Sequence, residues 1–222
     1  MGHNDMKGSK KHNMSASHFR DKGIDWWTYD GHVGASPHDE LIFSSLTGGG
    51  IKDVLEIGPG RGAFTFRVRD AGCHVVALEV NPGFIDFCRK KGDCTGIDFV
   101  EGDAETLPFR EGCFDAVVCV EVLMHLPDPA KAFHEISKVV RPNGCVLVTY
   151  LRKHTKKHLK FTVSVTTGIY EKKHGKGSVD YRYDSLRDIR KYLGGTGLSV
   201  ERVSNAKSTN PCILIRKRGS MV

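Results

Sequence analysis

DVLEIGPGRGA, residues 53–63, is the stretch whose reading decides the fold. Asp53–Ile57 is a short apolar run of strand-forming residues that ends in a glycine-rich turn. Residues 63–71 follow as a segment able to form a helix. A turn of this kind between strand and helix lets a ligand lie against bare backbone and presents a helix N-terminus to it.

The same alternation continues along the chain. His74–Glu79 reads as a strand, Pro82–Lys91 as a helix stopped by Gly92, and Ile97–Glu101 as a strand. Phe114–Val120 is a strongly apolar strand. Asp128-Pro129 caps a helix with Phe133, Ile136, Val139 and Val140 on its apolar face. Arg141-Pro142-Asn143-Gly144 reads as a turn, and Cys145–Tyr150 as the next apolar strand. Strands that are apolar throughout, alternating with helices, predict a parallel sheet covered on both faces.

The flanks differ. Residues 1–18 are polar and basic, without periodicity or an apolar block, and read as a disordered tail and not as a secretory signal. Residues 19–50 hold Trp26, Trp27 and Tyr29, then a helix start at Ser36-Pro37 and a stop at Gly48-Gly49-Gly50, and are expected to form an N-terminal helical cap. The main domain is expected over 51–222. Within it, 151–183 breaks the rhythm with RKHTKKHLK and EKKHGKG and reads as a basic insertion, either a solvated lid or a clamp for an anion. Asp184 or Ser185 opens a helix bearing Leu186, Ile189 and Leu193, and two strands, 198–204 and 211–217, end the chain.

The 222 residues suffice for one domain with a substantial core, and the 39% hydrophobic and 27% charged content is that of a soluble protein. No apolar run is long enough to span a bilayer. The seven cysteines are odd in number and form no C-x-x-C pair, so a reducing cytoplasm is the expected compartment. The net charge of +7 is an average over unlike parts. Residues 1–150 hold 16 Lys+Arg against 21 Asp+Glu, a net of −5, while residues 151–222 hold 17 against 5, a net of +12. Cations gathered in one segment favour a local anionic contact over a generally nucleic-acid-binding surface.

Gly58, Gly60 and Ala63 satisfy G-x-G-x-x-G/A, so a nicotinamide dinucleotide and a bare structural turn are both open readings of the turn. Three carboxylates weigh against them. Glu56 lies in an otherwise apolar strand, where an acid needs a partner, and an amine suits it better than a pyrophosphate. Glu79, 21 residues after Gly58, ends the second strand, where an acid takes both hydroxyls of a ribose. Asp103 follows the third strand, where a carboxylate can accept from the exocyclic amine of adenine. Together they suit an adenosine whose far end bears an amine and no phosphate.

With VLEIGPGRG, ALEVNP, VEGDAETLPF and FDAVVCVEVLMHLPDPAKAFHEISKVVRPNG standing in order, the chain resembles a class I S-adenosylmethionine-dependent methyltransferase, of the small-molecule subgroup with ubiquinone- and menaquinone-type enzymes. The resemblance implies an α/β, Rossmann-like, doubly wound sheet of seven mostly parallel strands, the last antiparallel, with helices on both faces. It implies S-adenosyl-L-methionine as methyl donor and S-adenosyl-L-homocysteine as product. By position, Glu56, Gly58, Pro59, Gly60 and Gly62 would line the methionine half. Glu79 would hold the ribose, Val80 would pack on adenine, and Asp103 and the Ala104 amide would meet the adenine edge. Cys119 and Val120 would face the methionine moiety. Pro59 stands where Cys or Ser is frequent, which removes a donor and keeps the turn.

The resemblance places His125 near the reactive methyl and makes it the candidate catalytic residue, with Tyr150 and Glu121 as further possible bases. Tyr29, Tyr150 and His154 are candidates for substrate contact. His154-x-x-x-His158 has metal spacing, but without an acid or thiol ligand nearby no metal is expected. The chain lacks an N-P-P-Y-like motif after the fourth strand and a Pro-Cys nucleophile there, which leaves a small molecule as the first expectation for the acceptor, and the basic 151–183 segment points to an anionic one. RNA or protein docked on the basic third is the second. A nicotinamide-dependent oxidoreductase or a non-catalytic cofactor-binding module is the third.

Overall fold

The fold is taken from a computed structural model, which describes residue 20 and residues 37–47, 50–152, 182, 184–204 and 210–219. The expected tail over 1–18, the aromatic segment with Tyr29, and nearly all of the basic insertion lie outside the described residues.

The elements run α1 (Pro37–Thr47), β1 (Asp53–Ile57), α2 (Thr65–Asp70), β2 (His74–Glu79), α3 (Pro82–Lys91), β3 (Ile97–Glu101) and β4 (Phe114–Cys119). A 3₁₀ turn over Leu123–His125 follows, then α4 (Pro129–Val139), β5 (Val140–Thr149), α5 (Leu186–Tyr192), β6 (Leu198–Ser204) and β7 (Cys212–Lys217). The helix starts have local causes. Asn81 accepts the Gly83 amide at 2.8 Å ahead of Pro82, and Asp128 accepts the Ala130 amide at 3.0 Å ahead of Pro129. Ser185 and Asp188 cap each other's backbone reciprocally.

The seven strands form one sheet in the order β3-β2-β1-β4-β5-β7-β6. β1 through β5 pair in parallel, and β7 runs antiparallel to both β5 and β6. This is the expected doubly wound architecture with its last strand reversed. Alternate strand residues feed two cores. Leu55, Val117 and Val146 pack with Phe133 and Ile136 of α4 and Ile189 of α5 on one face. Val54, Val118 and Leu147 pack with Leu41, Ile42 and Leu46 of α1 and Val68 of α2 on the other.

Two local readings need correction. The helix expected over 63–71 spans only Thr65–Asp70, because residues 60–64 remain in the turn. The expected turn at Arg141–Gly144 lies inside β5, whose pairing begins at Val140. There Val140 pairs with Phe114 and Cys145 with Ala116, so five residues of β5 advance against two of β4 and bulge outward. Asn143 takes φ 64° in that bulge, a conformation asparagine tolerates.

The strand order reverses between β1 and β4, and a sheet wound this way opens a crevice there, beyond the carboxyl ends of its strands. At the opposite, amino-terminal ends, the Asp115 carboxylate accepts the Lys52 and Asp53 amides at 2.9 and 3.0 Å. Arg141 bridges Asp115 and Asp53. That end is devoted to holding strands together.

Candidate functional site

Ile57 of β1 lies opposite Cys119 of β4, so the chain leaves both strands side by side at the crevice. Gly58 takes φ +68°, and a Cβ there would meet Val122 Cγ2 at 2.3 Å. Only glycine satisfies both conditions. Gly60 also has positive φ, +51°, but a Cβ there would meet nothing within 4 Å. Among the described residues, then, nothing covers the outer side of the turn at Gly60, as a ligand lying on backbone requires. Pro59 is buried and its carbonyl accepts the Gly62 amide at 2.8 Å, which closes the turn without the donor that proline lacks.

Three acids meet this turn differently. Glu56 is 4% exposed, and its Oε2 has no hydrogen-bond partner among the described residues. Burial raises its carboxyl to about 7, partly offset by the Thr65 hydroxyl and reinforced by the charge of Glu79. Glu79 accepts the Gly60 amide at 3.2 Å through Oε2 and the Asn81 amide at 3.0 Å through Oε1. Burial raises its carboxyl too, against the pull of these amides. A carboxylate has about four acceptor sites, so Glu79 can shape the turn and still receive a ligand hydroxyl. Asp103 is half-buried and accepts the Glu105 amide at 2.9 Å, which folds its loop and brings the buried Ala104 beside it.

Val80 and Val120 are half-buried and Cys119 is buried at the adjoining strand ends. Burial pushes the Cys119 thiol up to about 12, so it is a packing group and no nucleophile. Tyr150 is 3% exposed and belongs to the α4 and α5 core. Burial raises its phenol, which the Arg152 charge opposes and the Asp184 charge reinforces. His125 closes the 3₁₀ turn, its amide donating to the Val122 carbonyl at 2.8 Å and its ring nitrogens shut off from solvent. The structure thus gathers Glu56, Gly58, Pro59, Gly60, Gly62 and Glu79 around one turn. Tyr29 and His154 lie outside the described residues.

Two sets of contacts, around Arg182 and around Glu121, were not legible in the sequence. Arg182 donates to the Leu126 and Pro127 carbonyls at 2.7 and 2.9 Å and clamps the H-L-P-D turn. Glu121, directly after β4, takes φ 58°. Such a backbone costs a non-glycine residue about 1–3 kcal/mol. Its amide donates to Thr149 Oγ1 at 2.7 Å, and its Oε1 accepts from Asn210 Nδ2 at 2.9 Å. Burial raises its carboxyl, and the Asn210 amide works the other way. The only local signal was an acid at the end of an apolar strand.

The family model described as a methyltransferase domain matches residues 55–148, from β1 through β5. That match takes in 94 of the 222 residues, so the likeness to a methyltransferase domain lies in the stretch from β1 to β5. A ubiquinone biosynthesis O-methyltransferase from Paraburkholderia xenovorans is 31% identical over 154 residues, 64% of each chain. A probable phthiotriol/phenolphthiotriol dimycocerosates methyltransferase from Mycobacterium ulcerans is 39% identical over 95 residues. That stretch is 42% of this chain and 37% of the relative, so the chain spans well under half the length of that protein. In fold, the chain resembles the magnesium protoporphyrin IX methyltransferase of Synechocystis PCC 6803, solved with bound SAH, at TM-score 0.67 and 18% identity. That match covers 91% of this chain and 97% of the other. The two chains therefore share a Rossmann-like fold over most of their length.

Proposed function

We propose that this chain transfers the methyl group of S-adenosyl-L-methionine to a small acceptor that bears negative charge. The observation that carries the reading is Glu56, a buried acid whose Oε2 has no hydrogen-bond partner among the described residues, beside a glycine turn that these residues leave uncovered at Gly60. A cationic amine satisfies that oxygen; a pyrophosphate would be repelled by both Glu56 and Glu79. The residues present fit the donor. Glu56 would hold its amine, the backbone of Gly58, Pro59, Gly60 and Gly62 its methionine chain, and Glu79 its ribose. Val80, Asp103 and Ala104 would frame adenine, and Cys119 and Val120 would wall the methionine end.

When bound, the donor supplies an already activated methyl. The protein's task is then to align the acceptor in line with that methyl and to exclude water. His125, Tyr150, Tyr29 and His154 are the residues we assign to the acceptor side. Small acceptors are supported by the names of the ubiquinone and phthiotriol relatives. A negative acceptor is supported by the net +12 beyond Tyr150.

Calorimetry tests the donor. S-adenosylhomocysteine should bind and NADH should not, and Glu79→Ala combined with Asp103→Ala should abolish the binding. Tight NADH binding, or unchanged S-adenosylhomocysteine binding by the double variant, overturns the reading. Salt-sensitive RNA binding that is lost on neutralising Lys153, Lys156 and Lys157 would replace the small acceptor with a nucleic acid.

A further inference from the structure

We infer that Glu121 receives the acceptor's proton, and that the methyl therefore goes to a hydroxyl oxygen and not to the acceptor's own anionic group; this rests on the methyl-transfer reading above. Glu121 stands one residue past Val120 at the switch-point crevice, and its other neighbour, Val122, packs on Gly58 of the turn. It is thus joined to the wall assigned to the methionine end. Among the described residues, only Glu121 and Asn143 are non-glycines with positive φ. Asn143 belongs to an exposed bulge and is a residue type that tolerates the conformation. Glutamate has no such tolerance, so its backbone is held in place by contacts from elsewhere.

Those contacts come from the end of β5 and from the segment that leads into β7. Thr149 at the end of β5, fully buried, accepts the Glu121 amide. Asn210, two residues ahead of β7, donates to one carboxylate oxygen. Asn210 is a neutral donor, so it orients the carboxylate without neutralising it. A fixed acid of this kind repels a second carboxylate and attracts a group that can donate a proton. In the step, the acceptor's O–H bond breaks and its proton passes to the Glu121 carboxylate. The oxygen pair forms the O–CH₃ bond, and the S–CH₃ bond breaks with its pair left on sulfur as the neutral thioether.

4-Hydroxyphenylacetate carries both kinds of oxygen and serves as the probe. S-adenosylhomocysteine calorimetry is done first, and a failure there speaks against the donor reading and not against this one. On wild-type protein with S-adenosylmethionine, mass spectrometry should find the phenyl methyl ether and not the methyl ester. Glu121→Gln should lower ether formation at least about 100-fold, with S-adenosylhomocysteine affinity kept within about threefold. By saturation-transfer NMR on S-adenosylhomocysteine-loaded protein, the phenol should bind more tightly than 4-methoxyphenylacetate, and Glu121→Ala should erase that preference. Ester formation, undiminished ether formation by Glu121→Gln, or no preference for the phenol in wild type each overturns the proposal.

Discussion

The side chain of Val122 occupies the space where a Cβ on Gly58 would stand, its Cγ2 2.3 Å from that position. The exit of β4 is thereby packed directly on the turn after β1. Gly58→Ala should force this contact apart and strain a φ of +68°. A loss of at least about 2 kcal/mol in chemical denaturation is expected, with S-adenosylhomocysteine binding lost as well. Adding Val122→Ala should recover the steric part of the loss and leave the backbone part.

Glu79 and Asp103 should separate stability from binding. Glu79 is 7% exposed and holds the Gly60 and Asn81 amides, so Glu79→Ala should cost about 1–3 kcal/mol and weaken S-adenosylhomocysteine at least tenfold. Asp103 is half-buried and holds only its own loop, so Asp103→Ala should weaken the ligand with little change in melting temperature. Denaturation and calorimetry on each single variant check the contrast.

Glu56 should make stability fall as pH rises. Its carboxyl is raised from 4.5 to about 7, so the native state binds a proton that the unfolded chain releases. The contribution is complete below pH 4.5 and is lost as pH rises through about 7, a swing of about 3 kcal/mol. The raised carboxyl of Glu79 acts in the same direction. Glu56→Gln should flatten this profile and make the ligand-free protein more stable at pH 8. An ammonium on Glu56 favours the carboxylate, so S-adenosylhomocysteine should bind more tightly as pH rises from 6 to 8. Proton release should appear as buffer-dependent heats near pH 6.

Thr149 is the strut under Glu121. Thr149→Val keeps the shape of the side chain and leaves the half-buried Glu121 amide without its acceptor, at an expected cost of about 1–2 kcal/mol. Ether formation from 4-hydroxyphenylacetate should fall with it, while S-adenosylhomocysteine affinity stays near wild type. Equal losses in both would make Thr149 a general packing residue.

At the far end of the sheet, Arg141 should matter for stability alone. Burial works against the Asp115 carboxylate, yet the Asp53 and Lys52 amides and the Arg141 guanidinium hold it below the usual range. Arg141→Met removes a partly exposed pair, so a loss of about 1 kcal/mol is expected, with no effect on ligand binding measured by calorimetry.

The order and type of the elements were readable because their causes are local. DVLEI, HVVALE and FDAVVC are apolar enough to be strands buried on both faces, and β1, β2 and β3 begin and end at the residues expected. Asp128-Pro129 and Ser185 fix helix starts through contacts within three residues. The limits of local reading show at Arg141–Gly144. Pro, Asn and Gly signal a turn there, but pairing of Val140 with Phe114 draws the segment into β5 as a bulge.

By itself, then, the sequence determined the strand and helix pattern, the glycine turn and the acids that end the first two strands. Each depends on residues that are neighbours in the chain. Only the tertiary structure decided that Glu56 Oε2 has no hydrogen-bond partner among the described residues, that Val122 closes on Gly58, and that Glu121 is bent and held by Thr149 and Asn210. Asn210 lies 89 positions from the carboxylate it orients. A contact across that distance is set by strand order and register, and neither leaves a periodic mark on the residues that make it.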